Sequence, residues 1–205
     1  MLTYIGNRLI FPAPRRSYQE DSYPDALYYI PWDYEVLSSS ISTSSTTNSA
    51  PSSSSTSPPN TNTPESFKTS APHGVPVLFY SAKEVSGAKT LFVYFHGNAE
   101  DIGMSQAFVK HIRDQFRVNV LSVEYPGYGL LDGMTANEEN LYLTGLNVLR
   151  FVNNTPKDHR QDENSCRGLG VRYQNIILVG RSIGSGPACW LPAKYPVGGL
   201  LLVSP

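Results

Sequence analysis

The stretch Ile176-Ile-Leu-Val-Gly-Arg-Ser-Ile-Gly-Ser-Gly-Pro-Ala188 constrains this chain more than any other. It reads as an apolar strand that enters a tight turn and continues as a helix. Inside it, Gly180-Arg181-Ser182-Ile183-Gly184 fits G-x-S-x-G, the pattern that lifts a nucleophilic serine clear of a sheet. A serine at the tip of such a turn is forced into a strained backbone, so its neighbours must be nearly free of side chains. Gly180 and Gly184 meet that need. The N-terminus of the following helix favours negative charge developing nearby. The pattern alone also occurs in ordinary turns, but here both the preceding strand and the following helix are present. A rival reading takes Gly180, Gly184 and Gly186 as a phosphate or dinucleotide loop. It fails, because the spacing fits neither G-x-G-x-x-G nor the P-loop lysine pattern.

The rest of the chain alternates strand and helix patterns. Ala26–Ile30 reads as a short edge strand stopped by Pro31. Val75–Tyr80, a turn at Gly87 and Thr90–Phe95 read as two strands, the second buried on both faces. A helix is expected over roughly Ile102–Gln115, with Ile102, Ala107, Phe108 and Ile112 facing inward. Val118–Tyr125 is the next strand, and Pro126, Gly127 and Gly129 shape the turn after it. Thr135-Ala-Asn-Glu138 reads as a capping box for a helix reaching about Asn153. The helix after Ser182 extends to about Tyr195, with Pro192 kinking or ending it. Gly199–Val203 is a final strand. The fold class that follows is α/β, a mostly parallel sheet with helices on both faces. Residues 1–23 form an N-terminal segment and residues 24–205 one domain. Within it, residues 38–64 are nearly all Ser, Thr, Pro and Asn. Such a composition cannot bury enough apolar surface to offset its ordering entropy, so this is read as a disordered insertion.

Composition narrows the partners. The 205 residues are 40% hydrophobic with a net charge of -1, which gives a polyanion such as nucleic acid no electrostatic foothold. Cys166 and Cys189 have neither metal-site spacing nor a framework of pairs, which fits a reducing, cytoplasmic setting, and no cofactor or metal is called for. No run reaches the length of a membrane span. Met1–Pro12 lacks the core length and cleavage site of a signal peptide. Its expected fate is packing onto the domain; the alternative is contact with a membrane surface through Leu9, Ile10 and Phe11, helped by Arg15 and Arg16. Asn153-Asn-Thr155 matches a glycosylation acceptor, a pattern common by chance. The sequence does not fix the oligomeric state.

In an open α/β sheet the ligand site lies beyond the carboxyl ends of the strands. His96-Gly97-Asn98, Tyr125–Gly129 and Ser182 converge there. An attacking serine needs backbone N–H groups aimed at the carbonyl oxygen as it turns tetrahedral. Ile183, the residue after the serine, supplies one in this reading, and Asn98 in the loop after the third strand supplies the other. Glu124 and Arg181 both fall at strand ends near the elbow; they either pair or are solvated separately. His96 is the best placed histidine in sequence, but neither it nor His73, His111 or His159 has a reason to meet Ser182. Tyr125 and Tyr128 read as packing residues.

Four segments together resemble the α/β-hydrolase superfamily. They are Tyr94-Phe-His-Gly-Asn-Ala-Glu-Asp-Ile-Gly103, Glu124-Tyr-Pro-Gly-Tyr-Gly129, Glu138-Glu-Asn-Leu-Tyr142 and Val179-Gly-Arg-Ser-Ile-Gly-Ser-Gly-Pro-Ala188. The nearest subgroup is the lidless eukaryotic α/β-hydrolase-domain proteins that are serine aminopeptidase-like and include protein depalmitoylases. The resemblance implies hydrolysis of an ester, thioester or amide, on a small-molecule or acylated-protein substrate. It implies Ser182 as nucleophile of a Ser-Asp-His triad, with Asn98 and Ile183 as oxyanion donors. The subgroup carries an N-terminal cysteine cluster for lipid attachment, and no cysteine precedes Cys166 here. Triad order in this fold is serine, acid, histidine, yet the residues after Ser182 include no Asp, Glu or His. The sequence therefore reads as the N-terminal part of a hydrolase domain whose triad acid and histidine lie outside it, or as a non-catalytic pseudoenzyme or interaction module of the same origin. Residues 1–205 alone are expected to show little or no turnover; measurable Ser182-dependent hydrolysis of a short acyl ester by this stretch would overturn that.

Overall fold

A computed structural model describes residues 10–33, 74–82, 89–154 and 168–205. The insertion at 38–64, the turn at Gly87, His73, His159, Cys166 and the first nine residues lie outside the described residues.

Six strands form one sheet: β1 (Leu27–Ile30), β2 (Val75–Tyr80), β3 (Leu91–Phe95), β4 (Asn119–Val123), β5 (Ile176–Arg181) and β6 (Gly199–Val203). Their order is β1-β2-β4-β3-β5-β6. β1 pairs antiparallel with β2, and β2 antiparallel with β4. From β4 through β3 and β5 to β6 every pairing is parallel. The expected α/β architecture is therefore present, with two antiparallel strands at one side of a parallel set.

The strands alternate their side chains between two cores, as a period of two requires. Val77, Val93, Phe95, Leu121, Val123, Ile176 and Leu178 face one core, completed by Phe11 and by helices α2 (Glu138–Asn153) and α3 (Ser185–Trp190). Leu78, Tyr80, Tyr94, Val120 and Val179 face the other, completed by Tyr18, Ile102 and helix α1 (Gln106–Phe116). β3 is covered on both faces, as its apolar run predicts.

Helix boundaries differ from those read off the sequence. α1 starts at Gln106 rather than Ile102, because Asp101 holds the preceding turn: its Oδ1 accepts from Met104 N at 2.9 Å and its carbonyl from Ser105 N at 3.1 Å. The buried face of α1 is Val109, Ile112 and Arg113, whereas Ala107 is exposed. α2 is capped by Asn137, whose side chain accepts from Asn140 N at 2.7 Å. That replaces the expected box from Thr135; an asparagine two residues closer caps at least as well, and Glu138 and Glu139 complement the positive end. α3 stops at Trp190, ahead of Pro192, where a missing N–H cannot continue the ladder. At the far end of α2, Asn153 Nδ2 donates to Val171 O at 3.1 Å, which ties up the asparagine of the glycosylation pattern.

The two sides of this sheet should respond very differently to truncation. Leu178 is fully buried at the centre, and Leu178→Ala should lower stability by about 3 kcal/mol. Leu201 on the edge strand β6 is 40% exposed, and Leu201→Ala should change stability by less than about 1 kcal/mol. Urea unfolding of the two variants measures the contrast.

Candidate active site

The parallel register sets the site. Phe95 on β3 lies opposite Val123 on β4 and Gly180 on β5, so three strands end side by side. The residues that leave them are His96, Glu124 and, one step beyond the end of β5, Ser182.

Ser182 begins a single 3-10 turn, Ser182–Gly184, that passes directly into α3. Its φ is 50°, in the left-handed region that a serine occupies only when its surroundings force it. The glycines explain how the turn fits. A Cβ on Gly184 would lie 2.2 Å from the Phe95 carbonyl oxygen and 2.7 Å from that of His96. A Cβ on Gly180 would lie 2.7 Å from the Ala188 Cβ. The turn is pressed against the end of β3, and its serine is left exposed. Among the described residues no imidazole or carboxylate is hydrogen-bonded to the Ser182 hydroxyl.

The loop after β3 faces this turn and is tied down at Gly97, Asn98, Glu100 and Asp101. Gly97 N donates to Glu100 Oε1 at 2.7 Å. The Asn98 side chain bridges outward: its Nδ2 donates to the Ile10 carbonyl at 2.6 Å, and its Oδ1 accepts from the Tyr128 hydroxyl at 2.7 Å. Asp101 accepts from Ser17 twice, from its backbone N at 2.8 Å and from its hydroxyl. Residues 10–18 thus pack against this loop. A cavity of about 580 Å³ lies beside it, lined by Phe11, Pro14, Gly127, Asp132, Met134 and Ala136; none of its lining residues belongs to the turn at Ser182.

Glu124 and Arg181 do not pair, which corrects one of the two expectations for them. β3 lies between β4 and β5, so their ends are two strand spacings apart, roughly 10 Å. Glu124 instead meets its immediate neighbour. Its fully buried carboxylate takes His96 Nε2 at 3.0 Å, the Tyr18 hydroxyl at 2.7 Å and Tyr125 N at 3.2 Å. The other ring nitrogen of His96, Nδ1, is 2.8 Å from the Gly97 carbonyl. A carbonyl only accepts, so the Nδ1 contact is made by the tautomer that carries hydrogen there. The ring stacks on Tyr125 at 4.0 Å between centroids. His96 is buried with both ring nitrogens engaged, by Glu124 and by the Gly97 carbonyl, and His111 is exposed on α1. Arg181 pairs with Glu100, its Nη1 lying 3.1 Å from each carboxylate oxygen. The Glu100 charge raises the Arg181 pKa further above its ordinary value. Among the described residues no group of three His, Cys, Asp or Glu could hold a metal ion, and no helix is long and apolar enough to cross a membrane.

Sequence reasoning passed over Tyr18, Ser17 and Glu100. Tyr18 and Glu124 are 106 residues apart, and no local pattern joins them. Glu100 had a local signal, a carboxylate three residues after a glycine in a tight loop.

A mostly parallel sheet in which β5 ends in a left-handed serine turn, faced by a glycine-containing loop from the neighbouring strand, is an α/β-hydrolase-like arrangement, and in sequence the chain is similar to alpha/beta hydrolase domain-containing proteins. No family model matches the chain. Alpha/beta hydrolase domain-containing protein 17B of Homo sapiens is 28% identical over 141 residues, 69% of this chain and 44% of that protein. The corresponding protein 17C of Xenopus laevis is 30% identical over 123 residues, 58% of this chain and 34% of that one. The match thus spans less than half the length of these relatives. Among solved structures, bacterial heroin esterase shares 16% identity at a TM-score of 0.44, covering 62% of this chain and 38% of its own.

The buried phenols give the fold an alkaline limit. Burial, with Glu124 adding to it, pushes the Tyr18 pKa far above its ordinary 10.0, and burial raises those of Tyr94, Tyr125 and Tyr128 as well. Below about pH 10 these groups are protonated in both states. Above it the unfolded chain sheds protons that the folded chain keeps, so stability falls as pH rises. Tyr18→Phe removes one donor from the buried carboxylate and should lower stability at about pH 8 by roughly 2 kcal/mol. It should also make the decline above about pH 10 shallower by one proton. Urea midpoints across that range check both.

Proposed function

We propose that this chain carries the nucleophile and the oxyanion hole of a serine hydrolase acting on an ester, thioester or amide. The observation that carries the proposal is Ser182 itself: exposed, at φ 50°, on a turn that only glycines at 180 and 184 permit. A serine held in a strained conformation at a strand end is well presented for attack and poorly explained by packing.

In this reading the Ser182 hydroxyl oxygen bonds to the acyl carbon as its proton passes to a histidine base. The carbonyl oxygen becomes an oxyanion, met by the backbone N–H groups of Asn98 and Ile183. Collapse expels the alcohol, thiol or amine, which takes the proton, and leaves an acyl-enzyme that water clears by the same route. The tie between Gly97 N and Glu100 supports Asn98 as the donor: with the Gly97 N–H already used, the next free amide in the loop is that of Asn98. The base and its acid partner are not among the residues that follow Ser182 here. The substrate we propose is an acyl ester or thioester, on a small molecule or an acylated protein, with the protein cytoplasmic and in peripheral contact with a membrane at most.

A second reading, a non-catalytic member of the superfamily, draws on the absence of any imidazole against Ser182 among the described residues. One experiment separates the two. A fluorophosphonate probe should label the full-length protein covalently, and Ser182→Ala should abolish labelling and lower hydrolysis of a short acyl thioester by about 10⁴-fold or more. A folded full-length protein that resists the probe decides for the non-catalytic reading.

A further inference from the structure

Glu100 and Arg181 join the two backbone segments from which the oxyanion donors come. Glu100 sits two residues after Asn98 with its side chain 14% exposed; Arg181 sits two residues before Ile183 at 45%. One carboxylate oxygen of Glu100 accepts from Gly97 N at 2.7 Å, from the Tyr94 hydroxyl at 3.3 Å and from Arg181 Nη1 at 3.1 Å. The other oxygen lies at 3.1 Å from the same Nη1. The guanidinium is braced over the Phe108 ring at 6.0 Å, and the Arg181 Cδ would be 3.9 Å from a Cβ placed on Gly97. The loop glycine, the carboxylate and the arginine stem form one layered contact.

An exposed arginine–carboxylate pair by itself adds little to stability. This one is placed where its geometry and its charge have separate consequences. The carboxylate fixes the Gly97 peptide, and with it the direction of the next N–H. The same carboxylate is a negative charge close to where a second negative charge would develop, which opposes catalysis unless it is neutralised. Arg181 supplies the neutralising charge and anchors the loop to the serine turn.

We propose that Glu100 and Arg181 form a charge-balanced latch that sets the oxyanion loop against the Ser182 turn, both acting as positioning residues. The latch rests on the reading of Ser182 as a nucleophile only for its effect on rate; its effect on the loop does not depend on it. Two parts of the latch are separable by substitution. Glu100→Ala removes the acceptor, Glu100→Gln keeps the acceptor and removes the charge, and Arg181→Gln leaves the carboxylate unbalanced.

The test measures the rate of Ser182 modification by a fluorophosphonate, kcat and KM on a short acyl thioester, and amide hydrogen exchange of the peptide covering residues 96–101, all in the full-length protein. Glu100→Ala should slow modification by about 30-fold and speed exchange in that peptide, with KM within about twofold. Arg181→Gln should slow modification by about 10-fold, and the double variant Glu100→Gln, Arg181→Gln should recover to within about threefold of the parent, because charge balance returns. A double variant as slow as Arg181→Gln, or Glu100→Ala reacting at the parental rate, overturns the proposal. If the parent does not react at all, the nucleophile reading fails and exchange alone decides the latch. Faster exchange in Glu100→Ala and parental exchange in Glu100→Gln sustain it; equal exchange in all variants overturns it.

Discussion

The carboxyl-end chemistry of this chain depends on β3 lying between β4 and β5 in matched parallel register. Phe95 is opposite both Val123 and Gly180, so the residues that follow each strand are delivered to one rim at one height. From that alignment come the two pairs that define the rim. His96 meets Glu124 because their strands are adjacent. Glu100, on the loop that leaves β3, reaches across to Arg181. Gly184 completes the arrangement by letting the serine turn rest directly on the last carbonyls of β3. A side chain there would separate the turn from the strand that positions it.

The two carboxylates at this rim illustrate how environment decides role. Glu124 is wholly enclosed and is met by His96 Nε2, the Tyr18 hydroxyl and the Tyr125 amide. A buried polar network of this kind penalises any arrangement that leaves one of its members unpaired. It therefore specifies the positions of His96, Tyr18 and Tyr125 relative to one another. Glu100 is nearer the surface and is partnered by an arginine that water also reaches. It fixes a loop, not a core.

The turn at Ser182 was legible in the sequence because its cause is local. Two glycines, a preceding apolar run and a following helix lie within thirteen residues, and the backbone follows from their sterics. The strands were legible for the same reason, being alternating or continuous apolar runs. What failed was decided by competition or by distance. The starts of α1 and α2 differ from expectation because short polar side chains at Asp101 and Asn137 bind nearby backbone N–H groups. The pairing of Glu124 with Arg181 failed because strand order is a property of the whole sheet, and sequence order places β5 after β4 with no sign that β3 comes between them. Tyr18 on Glu124 and Ile10 on Asn98 join residues 106 and 88 positions apart, where periodicity carries no information.

The attachment of the N-terminal segment has a consequence for assembly. Ile10, Ser17 and Tyr18 are synthesised well before Asn98, Asp101 and Glu124, the polar partners that hold them. At ordinary elongation rates Tyr18 waits about 5 to 20 s for Glu124. Until then the Tyr18 ring and Phe11, which complete cores on opposite faces of the sheet, lack the surfaces they cover. The loop after β3 is fixed when residues 10–18 dock onto it. Completion of the rim is thus a late event governed by long-range loop closure, the slow kind of contact.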